Sequence, residues 1–350
     1  MKPNYVMLVL LLFSLMGCSV AHINSSDDAA RKIINIIDSS FQNAILQYKL
    51  LKSKLPKNRF PKSYEADGKG LVTSSARDWT SGFYPGSLLY LYEASSDQEI
   101  FDEAKVKLQL LDTQKFNKRT HDLGFMMYCS FGNAYRLTKD VKYKEVLLES
   151  AKSLASRYSP NVKSIQSWDR IKSFVTDDYW DFPVIIDNMM NLKLLFWATQ
   201  VTGDSSFYKI AVTHANTTIA NQFRPDNSSV HVVDWDLNTG TVLKKITWQG
   251  AADSSAWSRG QTWGFYGYTM MYRFTKNQVY LNQAKKIARF LLSHPRLPSD
   301  KVPYWDFDAP GIPNVPRDAS SAAIMASALL ELGQYSTGAE KKEYIETAET

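Results

Sequence analysis

Residues 202–211 read Thr-Gly-Asp-Ser-Ser-Phe-Tyr-Lys-Ile-Ala, and the fold turns on this short stretch. It holds a tight polar turn, an Asp suited to accept from the free N–H groups of a following helix, and then an aromatic and an Ala on one helical face. The pattern returns. Ser96-Asp97 precedes Phe101 and Ala104, Thr138-Lys139-Asp140 precedes Tyr143, Thr275-Lys276-Asn277 precedes Tyr280 and Ala284, and Ser336-Thr337-Gly338 precedes Tyr344 and Ala348. Recurrence of one connection along a chain marks helical hairpins joined in series.

Around these turns, apolar residues at three- and four-residue spacing predict helices over 29–51, 82–94, 100–111, 125–137, 143–155, 184–201, 207–223, 257–274, 280–292, 318–332 and from 341 onward. Strand signal is almost absent. Only 229–243, alternating around Asn238-Thr239-Gly240, predicts a hairpin. Alternate helices differ in kind: 82–94 and 320–332 are small or aromatic nearly all round, whereas 104–111 and 143–152 carry Lys and Glu on one face. The first kind follows long connections rich in Trp, Asp, His, Gly and Arg (60–83, 115–125, 159–184, 224–257 and 295–319), and the second follows the short turns. Inner helices with elaborate loops at one end and outer helices behind them make an all-α, six-hairpin (α/α)6 toroid, with a pocket at the elaborate end. Six hairpins need twelve helices and the periodicity supplies eleven, so the last inner helix is expected to be missing and the domain C-terminally incomplete.

Composition bounds the function. The 350 residues are 44% hydrophobic and 22% charged, which excludes a disordered chain, and 13% aromatic with nine Trp and nineteen Tyr, which favours stacking on something flat. Two cysteines, Cys18 and Cys129, make no disulfide framework, and no HExxH, acidic triplet or cysteine pair has metal-ligand spacing. No metal and no cofactor are expected. Phosphate-binding Gly loops and the Gly-x-Ser-x-Gly elbow are also missing.

At the N-terminus, Lys2, a twelve-residue apolar run from Tyr5 to Met16 and Leu15-Met16-Gly17-Cys18 have the layout of a signal peptide. Twelve is short of the roughly twenty residues that span a bilayer. The Leu-Met-Gly-Cys sequence resembles a lipoprotein lipobox, with ordinary secretory cleavage as the alternative. The expected organisation is a signal peptide over 1–17, acylated Cys18 opening a polar tether over 18–28, and a catalytic domain over 29–350 in a bacterial cell envelope, facing the periplasm. Removing 1–17 deletes one Lys and takes the formal charge from +6 to +5. Basic residues are scattered among acids, so no nucleic-acid footprint is present.

The chemistry gathers in the long loops. Asp187 lies in Phe-Pro-Val-Ile-Ile-Asp-Asn-Met-Met-Asn (182–191), with no Lys or Arg three or four residues away to offset its burial. Burial would raise its pKa toward neutrality, the condition for a group that gives and takes a proton; a helix-capping Asp is the alternative. Asp122, in His121-Asp122-Leu123-Gly124-Phe125, enters a second inner helix at the same end, and paired carboxylates are the minimum for acid/base work on a sugar. Arg259 stands between Trp257 and Trp263, suited either to a planar anionic ring or to a structural ion pair. Only His121 and His231 fall in the elaborate loops; His214 and His294 are expected on outer surfaces.

These blocks, taken with Asp-Trp-Thr-Ser-Gly-Phe-Tyr-Pro-Gly (78–86), the segment from Gln249 to Gly264 and the one from Pro303 to Ala323, resemble glycoside hydrolase family 88, the unsaturated glucuronyl hydrolases. The resemblance runs from Trp79 to the C-terminus. It implies an (α/α)6 toroid acting on the Δ4,5-unsaturated uronic acid that polysaccharide lyases leave at the non-reducing end of disaccharides and short oligosaccharides. It also implies that Asp187 protonates C4 and deprotonates the water added at C5, with Asp122 assisting. Gln249, His121 and His231 would lie near the ring and water, Arg259 on the uronate carboxylate, and Trp79, Trp257 and Trp263 in the stacking walls. Members usually end in a Tyr- and Asp-containing inner helix that this sequence does not reach. The alternatives are an unsaturated rhamnogalacturonyl hydrolase, an ordinary inverting glycosidase on the same fold, and a non-catalytic sugar-binding lipoprotein.

Overall fold

The structure is a computed structural model and describes residues 20–65, 68, 70–172 and 178–350. Cys18 and the stretch expected to be a signal peptide lie outside the described residues. Two units separate, 1–54 and 55–350. Among its described residues the first contains one helix, α1 (Val20–Lys54), with Lys52 and Lys54 in its last turn, where cations meet the negative end of the helix dipole. No Gly or Pro interrupts it. The second unit begins at Leu55, and its first helical hairpin opens at Phe83.

In the second unit the helices are α2 (Phe83–Ser95), α3 (Gln98–Leu111), α4, α5 (Val141–Ala155), α6 (Asn188–Thr202), α7 (Ser205–Asn221), α8 (Ser258–Thr275), α9 (Gln278–Ser293), α10 (Ala319–Gln334) and α11 (Gly338–Glu349). The element α4 is composite: a π-helical Gly124–Gly132 runs into an α-helical Asn133–Thr138. The even-numbered helices pack on one another in succession, and each backs onto the odd-numbered helix that follows it. This is the inner and outer arrangement of an α/α toroid.

The repeated turns behave as their chemistry requires. Asp97, Asp140, Asp204 and Asn277 each accept from a backbone N–H in the first turn of α3, α5, α7 and α9. Ahead of them, Ser96, Lys139, Gly203 and Lys276 end α2, α4, α6 and α8 in the left-handed region. Outer α9 buries Tyr280, Leu281, Ala284, Ile287, Ala288 and Leu291 on one stripe. Each fully buried Leu or Ile there contributes about 1.5–3 kcal/mol. Inner α8 is buried nearly all round, from Ser258 to Met271.

Strands decorate the long connections more than the periodicity foretold. Antiparallel pairs join β1 (Phe60–Glu65) to β2 (Gly70–Ser74), β3 (Tyr158–Ser159) to β4 (Ser164–Ile165), and β5 (Ile171–Lys172) to β6 (Tyr179–Trp180). The expected hairpin forms as β8 (Val232–Trp235) and β9 (Val242–Ile246), and β7 (Pro183–Ile185) adds a third strand to it. That third strand corrects the expected start of α6. Pro-Val-Ile is buried throughout and pairs with β8, so the apolar run is first strand and then helix.

One histidine is misplaced by periodicity. His214 on outer α7 was expected at the surface, yet it is fully buried and its Nδ1 accepts from the Ile165 N–H at 3.1 Å. Burial pushes its pKa down to about 3. His294 is half-buried, with its ring centroid 4.5 Å from that of Phe307.

Candidate active site

The register of β7 on β8 sets the first carboxylate. Ile185 pairs with Val232, and the next N–H, that of Ile186, donates to the His231 carbonyl at 3.1 Å. Asp187 therefore arrives beside His231, immediately ahead of α6. It occupies the cap position in right-handed helical geometry, but its side chain makes no capping bond, so capping is not its task. Asp187 is 7% exposed, and among the described residues its Oδ2 has no hydrogen-bond partner. Burial, and then the charge of Asp122, push its pKa up to about 7; its own backbone N–H and Arg259 pull the other way. Desolvation wins because no cation among the described residues is bonded to the carboxylate.

His231 has a fixed tautomer. Its Nδ1 accepts from the N–H groups of Trp248 and Gln249, each at 3.1 Å, so the ring proton sits on Nε2. Burial and the neighbouring Arg259 drive the pKa of the ring down to about 3, so it is neutral. Nε2 lies 3.9 Å from Asp187 Oδ2. His231 is thus a neutral ring whose Nε2–H lies near the carboxylate without bonding it, and the accepting of protons is left to the acids.

Asp122 stands close enough to Asp187 for its charge to act there. Its Oδ2 accepts from Thr120 Oγ1 at 2.7 Å, and its own N–H donates back to Thr120 Oγ1 at 3.1 Å. His121 Nε2 lies 3.3 Å from Asp122 Oδ1. His121 is fully buried, and burial lowers its pKa. It has no exposed surface and stands beside Asp122.

On the opposite side, Arg259 Nη1 meets Asp318 Oδ2 at 2.5 Å and Nη2 donates to Gln249 Oε1 at 3.0 Å. Its guanidinium carbon lies 4.6 Å from the centroid of Trp257. Trp257 also packs on His231, with centroids 4.6 Å apart, and is itself buried. Its ring thus packs against both Arg259 and His231. Trp79, Phe125 and Trp263 form an aromatic run, with Phe125 5.8 Å from Trp79 and 4.8 Å from Trp263. Phe125 and Trp263 also line a cavity of about 460 Å³ between the inner helices, onto which neither acid opens.

Sequence reasoning missed four contributors. Trp168 and Trp248 are half-buried indoles 5.3 Å apart, Trp168 lying edge-on to His121 and Trp248 adjoining Gln249. Asp306, fully buried, accepts from Ala251 N–H at 2.9 Å and Ser255 Oγ at 2.7 Å, which fixes the loop leading to Trp257. Asp318 is the fourth, and its signal was an Asp directly ahead of an apolar helix. Among the described residues no three His, Cys, Asp or Glu side chains gather to share a metal ion.

The sequence profile of Glycosyl Hydrolase Family 88 matches residues 53–294. The chain belongs to this family. A relative from Formosa agariphila named unsaturated glucuronyl hydrolase is 47% identical over 311 residues, covering 89% of this chain and 75% of the relative. A solved unsaturated glucuronyl hydrolase specific for heparin superposes with a TM-score of 0.83 at 44% identity, covering 89% of this chain and 81% of that one. The unsaturated glucuronyl hydrolase of Bacillus sp. GL1, described as responsible for glycosaminoglycan degradation, gives 0.79 at 32% identity, with coverage of 88% and 82%. The family 88 toroid is thus the fold of this chain, and the chain is a glycoside hydrolase.

Proposed function

We propose that this family 88 hydrolase releases Δ4,5-unsaturated glucuronic acid from the non-reducing end of lyase-generated glycosaminoglycan oligosaccharides. The carrying observation is Asp187, a buried carboxyl with a pKa near 7 and a free Oδ2, beside a second acid and a neutral histidine donor. Such a group is protonated often enough to deliver a proton to C4 of the enol ether. It is basic enough afterwards to take one from the water that adds at C5. The proton goes to C4 and the hydroxyl to C5, and the hemiketal so formed opens and expels the remaining saccharide. Asp122 assists by its charge and hydrogen bonding. Arg259 supports the uronate carboxylate, Gln249 and His231 supply polar contacts to ring and water, and Trp79, Trp257 and Trp263 wall the sugar.

The test is a pair of disaccharides that differ only in the C4=C5 bond. The unsaturated one is cleaved with loss of its ultraviolet absorbance, and the saturated one is spared. Cleavage of both would instead make Asp122 and Asp187 an ordinary acid and base at C1.

In the same proposal the enzyme is held in a bacterial cell envelope by acylated Cys18, the support being Leu15-Met16-Gly17-Cys18 behind an apolar run. Cys18→Ser should abolish incorporation of labelled fatty acid and shift the protein out of the membrane fraction. Retention of label would remove the anchor from the proposal.

A further inference from the structure

We propose that Asp318 is a positioning residue that holds the Arg259 cation off Asp187 and so keeps Asp187 available as an acid. The inference rests on the function proposed above. Asp318 precedes α10 and Arg259 lies in the first turn of α8, so the contact ties together the entrances of two inner helices. Both carboxylate oxygens are committed. Oδ1 accepts from Ser321 N–H at 3.0 Å and Ser320 Oγ at 2.5 Å, while Oδ2 takes Arg259 Nη1 at 2.5 Å. Asp318 is buried, which strengthens its hold on the cation.

Arg259 has a competing partner. The charged and titratable groups around Asp187 are Asp122 at the entrance of α4 with His121 behind it, His231 ahead of β8, and Arg259 on α8 with Asp318 behind it. Arg259 favours the ionised form of Asp187, and Asp122 opposes ionisation. An opposite charge within about 4–6 Å lowers a carboxyl pKa by about 1–3 units. A guanidinium released toward the acids would therefore strip Asp187 of its proton at neutral pH. Asp318, Gln249 and the face of Trp257 together prevent that movement.

Asp318→Asn separates the two tasks of this side chain, since Asn caps a helix as well as Asp does but carries no charge. Steady-state kinetics on the unsaturated disaccharide across pH should show the alkaline limb of kcat moving acidward by about one pH unit. At pH 7.5 kcat should fall several-fold, while KM does not rise, because the freed guanidinium still attracts the uronate. Asp318→Ser, which also keeps a capping oxygen, should shift the limb likewise. A limb that stays in place, with only the melting temperature altered, makes Asp318 a helix cap and overturns the proposal. So does a loss of kcat equal at every pH. A carboxyl carbon NMR titration of Asp187, assigned with Asp187→Asn, reads the same effect without turnover: a lower midpoint in Asp318→Asn supports the proposal and an unchanged one refutes it. Failure of the unmutated protein to act on unsaturated substrate would sink the proposed function and leave this readout to decide on Asp318.

Discussion

Asp187→Asn should lower kcat on unsaturated disaccharide by about 10²–10⁴-fold, the range for loss of a general acid/base, with KM little changed. The amide keeps the size and polarity of the side chain but neither delivers a proton to C4 nor takes one from water. The same substitution should stabilise the protein above neutral pH. The folded-state pKa of Asp187, about 7, lies above its ordinary value of 3.8, so the folded protein binds the extra proton between those limits. Stability is therefore full below about pH 4, falls as pH rises through that window, and levels off above pH 7. At 1.36 kcal/mol per unit the ceiling on this loss is about 4 kcal/mol, and the Asn variant escapes it. Thermal unfolding at pH 5 and pH 8 checks the sign: the variant gains on the wild type between the two. Near-normal turnover, or a variant that melts lower at pH 8, would show that Asp187 is neither the proton carrier nor a buried acid held at a cost.

Asp187 was legible in the sequence because it is a lone acid in an apolar run with no local cation. Burial of a charge without compensation is a physical anomaly that needs no alignment to notice. The hairpin turns were legible for a similar reason, since capping and left-handed termination are local chemistry. What escaped was everything that depends on residues far apart along the chain. Asp318 and Arg259 are 59 residues apart, and the capping signal before α10 gave no sign that the second oxygen of Asp318 was committed elsewhere. Two-residue strands such as β3 and β5 are too short to show alternation. His214 misled because an amphipathic stripe reports which side of a helix is polar, not whether a strand edge covers it; here the Ile165 N–H occupies its Nδ1. The π-helical turns of α4 likewise have no signature in a 3.6-residue pattern.

A glycine sits where the two acid-bearing segments meet, and Gly124→Ala should disable the enzyme without touching either acid. A Cβ at Gly124 would lie 2.4 Å from Asn191 Cα and 2.5 Å from Asn191 Oδ1, so α4 meets α6 there with no room for a methyl group. Asn191 Oδ1 already accepts from the Phe125 N–H at 2.8 Å, which prevents the side chain from yielding. Asp122 lies two residues before Gly124, and Asp187 four residues before Asn191. Relief of the clash must part the two helices within a turn of both carboxyl-bearing residues. Overpacking of this kind costs about 1–3 kcal/mol, and a collision with backbone belongs at the upper end. A displacement of about 1 Å between reacting groups costs on the order of 10²-fold in rate. Asp122 would also press less strongly on Asp187, so the alkaline limb of kcat should move acidward in the surviving folded protein. Gly203→Ala supplies the control. Gly203 has φ +75° and nothing within 4 Å of an added Cβ, so Ala there strains the end of α6 by about 1–2 kcal/mol and leaves the acids in place. Equal stability losses with turnover lost only in Gly124→Ala would tie catalysis to the approach of α4 to α6. Wild-type turnover and an unmoved pH limb in Gly124→Ala would mean that the acids do not depend on that approach for their coupling.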